Sequence, residues 1–268
     1  MRVYRPRSDG YHPIYSVFQE ISLHDELLIE PISVPVCQVR VPGSELDGKL
    51  NILNRCFDVF RPHLSEHAGV SINIVKRIPM GAGLGGGSSN AGALISWWVA
   101  TRRLTLSSEM LVGLAATVGA DVPFFLTGGT AIVQGIGEQV QSTDIPVPEW
   151  YVLVNPNKVS DTRTVYEWFD TRFPNAPDVA ATEPNAVPVV FGENSFETVV
   201  WELIPELSVL GGWSMATFGK QARLSGSGAT VFFEFSDYQA AQQFMGAVGA
   251  QFPTMWTSLV YPVGREKN

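Results

Sequence analysis

Between residues 79 and 90 the chain reads PMGAGLGGGSSN, with glycine at 81, 83, 85, 86 and 87 and hydroxyls at 88 and 89. Glycine is entropically costly to order and brings no side chain to pack. So many glycines in so short a span imply a backbone that something must approach closely. A strand-like run, VSINIVK, precedes the loop and a helix-forming run, NAGALISWWVATRRL, comes after it. That arrangement gathers backbone N–H groups and the positive end of a helix at one spot, which suits a phosphate. Ser88 and Ser89 add hydroxyls for a phosphate or for a cation bound to it. A turn serving only helix–strand packing needs one or two of these glycines.

Known phosphate loops differ in the residues after their glycines. G-x-x-x-x-G-K-[ST] requires a lysine after the last glycine, and none is present. G-x-G-x-x-G is matched by Gly81 to Gly86, but a dinucleotide site needs a second strand ending in an acidic residue after the helix. Here a second helix comes next, then GADVP. Asp121 in that segment can accept or orient a hydroxyl proton in a phosphoryl transfer; alone it reads equally as a turn residue. A second glycine–serine stretch, RLSGSGATVFFEF, places Gly226, Ser227 and Gly228 ahead of a strand, as a close approach to ligand or as a plain turn. Near the start, Asp9-Gly10 marks a turn beside Tyr11, His12 and Phe18, aromatic groups able to flank a base or to fill a core. Lys76-Arg77, just before the loop, reads as a solvated strand end and is left outside the site.

The elements that must position these residues are set by periodicity. Strands are expected within 14–33 with a turn near His24-Asp25, at 36–41, at 70–76, at 151–156, after the second glycine stretch, and at 258–263. TGGTAIVQGIGEQVQ reads as a hairpin with glycine turns. Helices are expected over 50–65, from Ser88 onward with Ser88, Ser89 or Asn90 as cap, over 107–118 behind a Ser-Ser-Glu signal, near 196–204 and near 237–252. A surface loop is expected over 174–188. The prolines of DIPVPEW place a domain boundary near residue 147, giving domains 1–147 and 148–268 of mixed, antiparallel α+β character.

PMGAGLGGGSSNA resembles the ATP signature of the GHMP kinases, named for galactokinase, homoserine, mevalonate and phosphomevalonate kinases. GADVPFF and LSGSGATVF resemble two further stretches of that superfamily. RSDGYHPIYSVFQ, KRIPMGAGLGGGSSNAGAL, GADVPFF and LSGSGATVFFEF, in this order, are similar to its branch acting on a cytidine-diphosphate-linked methylerythritol, in the non-mevalonate route to isoprenoids. The resemblance covers nearly the whole chain. It implies a two-domain GHMP kinase fold, with an N-terminal β/α nucleotide-binding domain and a C-terminal ferredoxin-like α/β sandwich. It implies ATP, with Mg²⁺, held by Pro79, Met80, Gly81, Ala82, Gly83, Leu84, Gly85, Gly86, Gly87, Ser88 and Ser89, and Asp121 as the catalytic residue. It implies Tyr11, His12 and Phe18 around the cytosine, with His12 hydrogen-bonding the base. With one residue inserted, SDTRTVYEWF adds Thr162 and Tyr166, and Gly226, Ser227 and Gly228 approach the methylerythritol diphosphate. A homoserine- or mevalonate-type kinase is the rival enzyme.

In one respect the sequence departs from the family. The resemblance implies a first strand, A-K-[IL]-N-L-x-L, ahead of R-x-D-G-Y-H, whose lysine neighbours the catalytic aspartate. Only Met1 to Tyr4 precede RPRSDGYH, so the first strand is expected to be truncated. Either the true start lies upstream, or the chain is a shortened paralogue that binds nucleotide and transfers poorly.

Composition sets the outer limits. The 268 residues are 45% apolar and 16% charged, with a net charge of −8. This fits a globular chain and argues against nucleic acid and anionic membranes as partners. Cys37 and Cys56 are expected to be reduced thiols, and the four scattered histidines show no metal spacing. No signal-peptide pattern opens the chain, and the longest apolar stretch, near 91–100, is too short to span a bilayer. A cytoplasmic monomer or weak homodimer is expected.

Overall fold

The structure is a computed structural model in which residues 1–43, 51–64, 69–178 and 193–264 are described. The first sheet has the order β1-β2-β6-β7, from β1 (Arg2–Val3), β2 (Ile14–Gln19), β6 (Thr130–Gln134) and β7 (Gln139–Ser142). A second has the order β3-β5-β4, from β3 (Glu26–Ile32), β4 (Cys37–Arg40) and β5 (Gly69–Val75). The third has the order β11-β8-β10-β9, from β8 (Trp150–Asn155), β9 (Arg223–Leu224), β10 (Val231–Phe235) and β11 (Trp256–Val260). All its neighbours are antiparallel. Taken in chain order its strands stand 4-1-3-2, the ferredoxin-like arrangement.

Alternation in β5 turns Val70, Ile72 and Ile74 inward, all essentially fully buried. Against them pack α1 (Ile52–Phe60) and α2 (Gly86–Ala100). In α1 the spacing of Leu53, Cys56, Phe57 and Phe60 makes one apolar stripe. Its cap is Asn51, whose side chain accepts from Leu53 N at 3.1 Å. The middle of α2 buries Leu94, Ile95 and Trp98. Strand β8 is apolar from Trp150 to Val154 because both faces are covered: Val152 and Val154 join one cluster, Tyr151 and Leu153 another. The first of these clusters also takes Val3, Ile14, Ala131 and Val133 from the first sheet, so one core crosses the link between β7 and β8 in which residue 147 lies. Both cysteines are free thiols, with Cys56 buried; burial pushes Cys37 up to about 12, and Cys56 higher still.

The expected strands and most helices are present, with three differences. First, α2 begins at Gly86 with Gly85 as its cap, in a left-handed conformation (φ 63°). The hydroxyls of Ser88 and Ser89 therefore lie inside the first turn, and Ser89 Oγ donates back to Gly86 O at 2.9 Å. Second, α4 (Val122–Thr127) comes after α3 (Ser108–Val118) where the sequence suggests only a break, because Pro123 is tolerated in a first turn that needs no N–H from it. Third, α5 (Thr162–Arg172) and α7 (Pro205–Phe218) are helices where none is expected from the sequence. The Gly211-Gly212 pair lowers helix propensity in α7, and tertiary packing of Leu207 and Leu210 overrides it. Helices α6 (Glu197–Leu203) and α8 (Tyr238–Gln251) lie where expected. The loop expected over 174–188 falls largely outside the described residues.

Candidate active site

Residues 81, 83 and 85 all take positive φ, near 59°, 71° and 63°, a conformation that glycine alone adopts freely. The alternation turns the loop's carbonyls toward the C-terminal half. Gly81 O accepts from Ser160 N at 3.0 Å and Ala82 O from Thr230 N at 3.1 Å. Gly83 O accepts from Ser225 Oγ at 2.8 Å. The N–H groups of residues 81–88, by contrast, find no acceptor among the described residues. Uncommitted donors beside the start of a fifteen-residue helix make an anion cradle.

The second glycine stretch is pressed against this loop. A Cβ at Gly83 would lie 2.3 Å from Ser225 O and 2.7 Å from Gly228 O. Ser227 is held from both sides: its carbonyl accepts from Ser160 Oγ at 2.7 Å, and its hydroxyl lies 2.9 Å from Thr162 Oγ1. Asn194 donates to Leu224 O at 3.0 Å and to Gly226 O at 2.8 Å. Sequence reading misses Ser160, Asn194 and Ser225, because a single polar residue in a loop carries no periodic signal. Replacing Ser225 with alanine leaves Gly83 O without its donor. Thermal denaturation should show a loss of about 0.5–1.5 kcal/mol, and the ATP KM should rise less than about tenfold.

Asp121 is the N-cap residue of α4, yet its side chain makes no capping hydrogen bond. Desolvation alone pushes its carboxyl above the ordinary range. Among the described residues no cation or hydrogen-bond donor reaches it to compensate. It faces a cavity of about 600 Å³ that is also lined by Phe18, Gly83, Leu84, Gly85, Ser89 and Gly226. The basic side chains on that lining are Arg2 and His24. The described lysines are engaged elsewhere: Lys76 on Asp25, Lys158 on Glu206 and Lys220 on Glu234 O. A carboxylate this poorly compensated is a candidate base.

The aromatic residues divide. Phe18 lies on the cavity wall against Phe124, with ring centroids 5.3 Å apart. Tyr11 is 59% exposed on the Asp9-Gly10 turn, outside the cavity lining. His12 is buried, and both its nitrogens face protein groups. Nδ1 is 2.8 Å from Tyr4 O, a carbonyl that can only accept, and Nε2 is 3.3 Å from Asp170. The imidazole ring lies tilted against Tyr166, with centroids 4.8 Å apart. The Tyr166 phenol is pushed up to about 12 by burial and then by the Asp121 charge, which places the two residues in electrostatic reach. Pro79, Met80, Gly81, Ala82, Gly86, Gly87 and Ser88 form the rest of the loop beyond that lining.

Lys76 departs from its reading as a solvated strand end. Its side chain is only 19% exposed, its ammonium pairs with Asp25 at 2.8 Å, and a Cβ at Gly86 would lie 3.2 Å from Nζ. A lysine three residues before a proline gives no hint in sequence that it folds back under the loop.

Residues 51–129, from α1 to the start of the β6 hairpin, match the family model described as the GHMP kinases N terminal domain. The fold and the glycine loop therefore define a GHMP kinase. A 4-diphosphocytidyl-2-C-methyl-D-erythritol kinase of Burkholderia thailandensis is 34% identical over 262 residues, covering 95% of this chain and 86% of the relative. Another, of Syntrophus aciditrophicus, is 34% identical, covering 96% and 92%. A crystal structure of 4-(cytidine 5'-diphospho)-2C-methyl-D-erythritol kinase superposes with a TM-score of 0.74 at 31% identity, over 97% of this chain and 94% of that one. The chain belongs to the 4-diphosphocytidyl-2-C-methyl-D-erythritol kinase family.

Proposed function

We propose that this protein transfers the γ-phosphoryl group of ATP to the 2-hydroxyl of 4-diphosphocytidyl-2-C-methyl-D-erythritol, a step in the non-mevalonate supply of isoprenoid precursors. The observation that carries the reading is the pairing of an uncommitted N–H cradle at residues 81–88 with the uncompensated Asp121 carboxylate beside the same loop. The substrate's identity rests on the family.

In the proposed step the acceptor hydroxyl attacks the γ-phosphorus. A new P–O bond forms, the bond to the β-phosphate oxygen breaks with its electron pair leaving on ADP, and the hydroxyl proton passes to Asp121. Such a transfer depends on alignment and charge neutralisation more than on covalent help. The loop N–H groups hold the triphosphate. The Ser88 or Ser89 hydroxyl would be the protein contact for a Mg²⁺ bound with ATP, which would supply neutralisation of phosphate charge. Ser89 fits this role, since its proton is already given to Gly86 O and its lone pairs remain free to ligate. Phe18, Thr162 and Tyr166 flank the nucleoside, Tyr11 closes over it from the exposed turn, and His12 acts there by fixing the Tyr166 ring. Gly226, Ser227 and Gly228 let the diphosphate approach the loop. The domains proposed are 1–147 and 148–268, and the proposed compartment is the cytoplasm. Among the described residues no helix is long and apolar enough to cross a membrane.

The test is incubation with Mg·ATP and the diphosphocytidyl methylerythritol, tracking ADP release and the phosphorus NMR signal of a phosphate monoester on the tertiary carbon. Stoichiometric ADP and monoester are expected. Transfer to homoserine or mevalonate in preference, or ATP binding with no transfer to any acceptor, would overturn the reading.

A further inference from the structure

The Asp25 side chain is fully buried just before β3, 0% exposed, and it holds four donors. Oδ1 accepts from Arg77 N at 2.8 Å and Ile78 N at 2.9 Å. Oδ2 accepts from Lys76 Nζ at 2.8 Å and Asn90 Nδ2 at 3.0 Å. Residues 76–78 are the entry to the glycine loop and Asn90 lies in the second turn of α2, its exit. One carboxylate thus ties both ends of a segment in which five of the seven residues from 81 to 87 are glycine. Lys76 adds a third tie, donating also to Ile78 O. Burial alone would push the Asp25 carboxyl up, but the Lys76 ammonium, the Ile78 and Arg77 N–H groups and the Asn90 amide hold it below the usual carboxylate range.

We propose that Asp25 is a positioning residue for phosphoryl transfer: with Lys76 and Asn90 it fixes the spacing between the loop entry and the start of α2, and so the placing of the N–H donors that hold ATP. This rests on the reading of the loop as the ATP phosphate site. The pair contributes little net charge at the site, because ammonium and carboxylate neutralise each other. Its contribution is order. Fixing a residue's backbone costs conformational entropy, and a glycine loop ordered before ATP arrives does not subtract that cost from binding.

Asp25→Asn separates the two halves of the network. Asparagine Oδ1 still accepts from Arg77 N and Ile78 N, but its amide meets the Lys76 ammonium and the Asn90 amide donor against donor. Asn90→Leu removes only the tie to α2 and leaves the Asp25–Lys76 pair intact, which keeps the test open should Asp25→Asn not fold. Affinities for ATP and for adenosine are measured by titration calorimetry on the parent and both variants, beside thermal midpoints. The expected result is at least a tenfold loss of ATP affinity in each folded variant with adenosine affinity unchanged, since only the phosphates contact the loop. A purely structural role would lower the midpoint and leave the ratio of ATP to adenosine affinity as in the parent. That result, in either folded variant, overturns the proposal. A parent that does not bind ATP overturns instead the reading of the loop on which the proposal rests.

Discussion

Replacing Asp121 with asparagine should lower kcat by about 10²–10⁴, the span general-base catalysis supplies, while raising thermal stability at neutral pH. Both effects come from one circumstance. The carboxylate is desolvated, with no compensating cation or donor among the described residues, so its pKa in the folded chain lies above the unfolded value. The native state then binds more protons than the unfolded state between those two values. Stability is undiminished below the unfolded pKa and falls as pH rises through the folded one, after which the full penalty is present. An amide carries no charge to desolvate. The variant should therefore melt higher than the parent at pH 7, and the gap should close at pH values below the ordinary carboxylate range. In the parent, the acid limb of kcat/KM should fall above the pH of a free aspartate, because the base must be ionised to take the hydroxyl proton, and the variant should lose that limb. A variant retaining kcat within tenfold would show that transfer proceeds by alignment alone.

This opposition between stability and chemistry explains what can be read from residues. The glycine loop is legible because a plain turn explains one or two glycines and not the five at 81, 83, 85, 86 and 87. Three left-handed positions in alternation are what the structure has there. Strand β8 is legible as YVLV, although the sequence does not tell that both faces are covered. Helix α2 is legible but its start is not, since Ser88 and Ser89 look like caps whereas Gly85 takes that position. The residues that escape are those whose partners are remote in sequence. Asp25 sits beside Lys76 across a strand pair, and Ser225 reaches Gly83 across 142 positions. No periodicity records such contacts. Asp121 lies between: a turn aspartate by its neighbours, a candidate base only once the cavity and the absence of a described partner are seen. His12 shows the reverse, with a motif position whose nitrogens are both turned to protein groups.

The glycines can be divided by what each must do, and alanine at two of them should give opposite stability effects. Gly83→Ala places a Cβ 2.3 Å from Ser225 O, 2.7 Å from Gly228 O and 2.9 Å from Gly228 N, at a φ of 71°. Every neighbour is backbone, held by the same turn that carries Gly226 and Ser227, so relief requires dismantling the seam between the loop and the C-terminal half. Strained φ costs about 1–3 kcal/mol and overpacking about 1–3 more. The expected loss of about 2–6 kcal/mol is a large part of a stability of about 5–15 kcal/mol, and a chemical denaturation midpoint should register it. Gly87→Ala meets only Ile52 Cγ2 at 3.5 Å, an ordinary contact, in the exposed first turn of α2. Its stability should be unchanged or slightly raised, as alanine favours the helix. Its ATP affinity should nonetheless fall at least tenfold if the loop closes over phosphate, since the methyl group occupies space reserved for the ligand. A Gly87→Ala chain that binds ATP as the parent does would place the phosphates away from the start of α2. A Gly83→Ala chain of unchanged stability would mean that the seam can yield, and that the contacts of Ser160, Ser225 and Thr230 with the loop do not hold it in place.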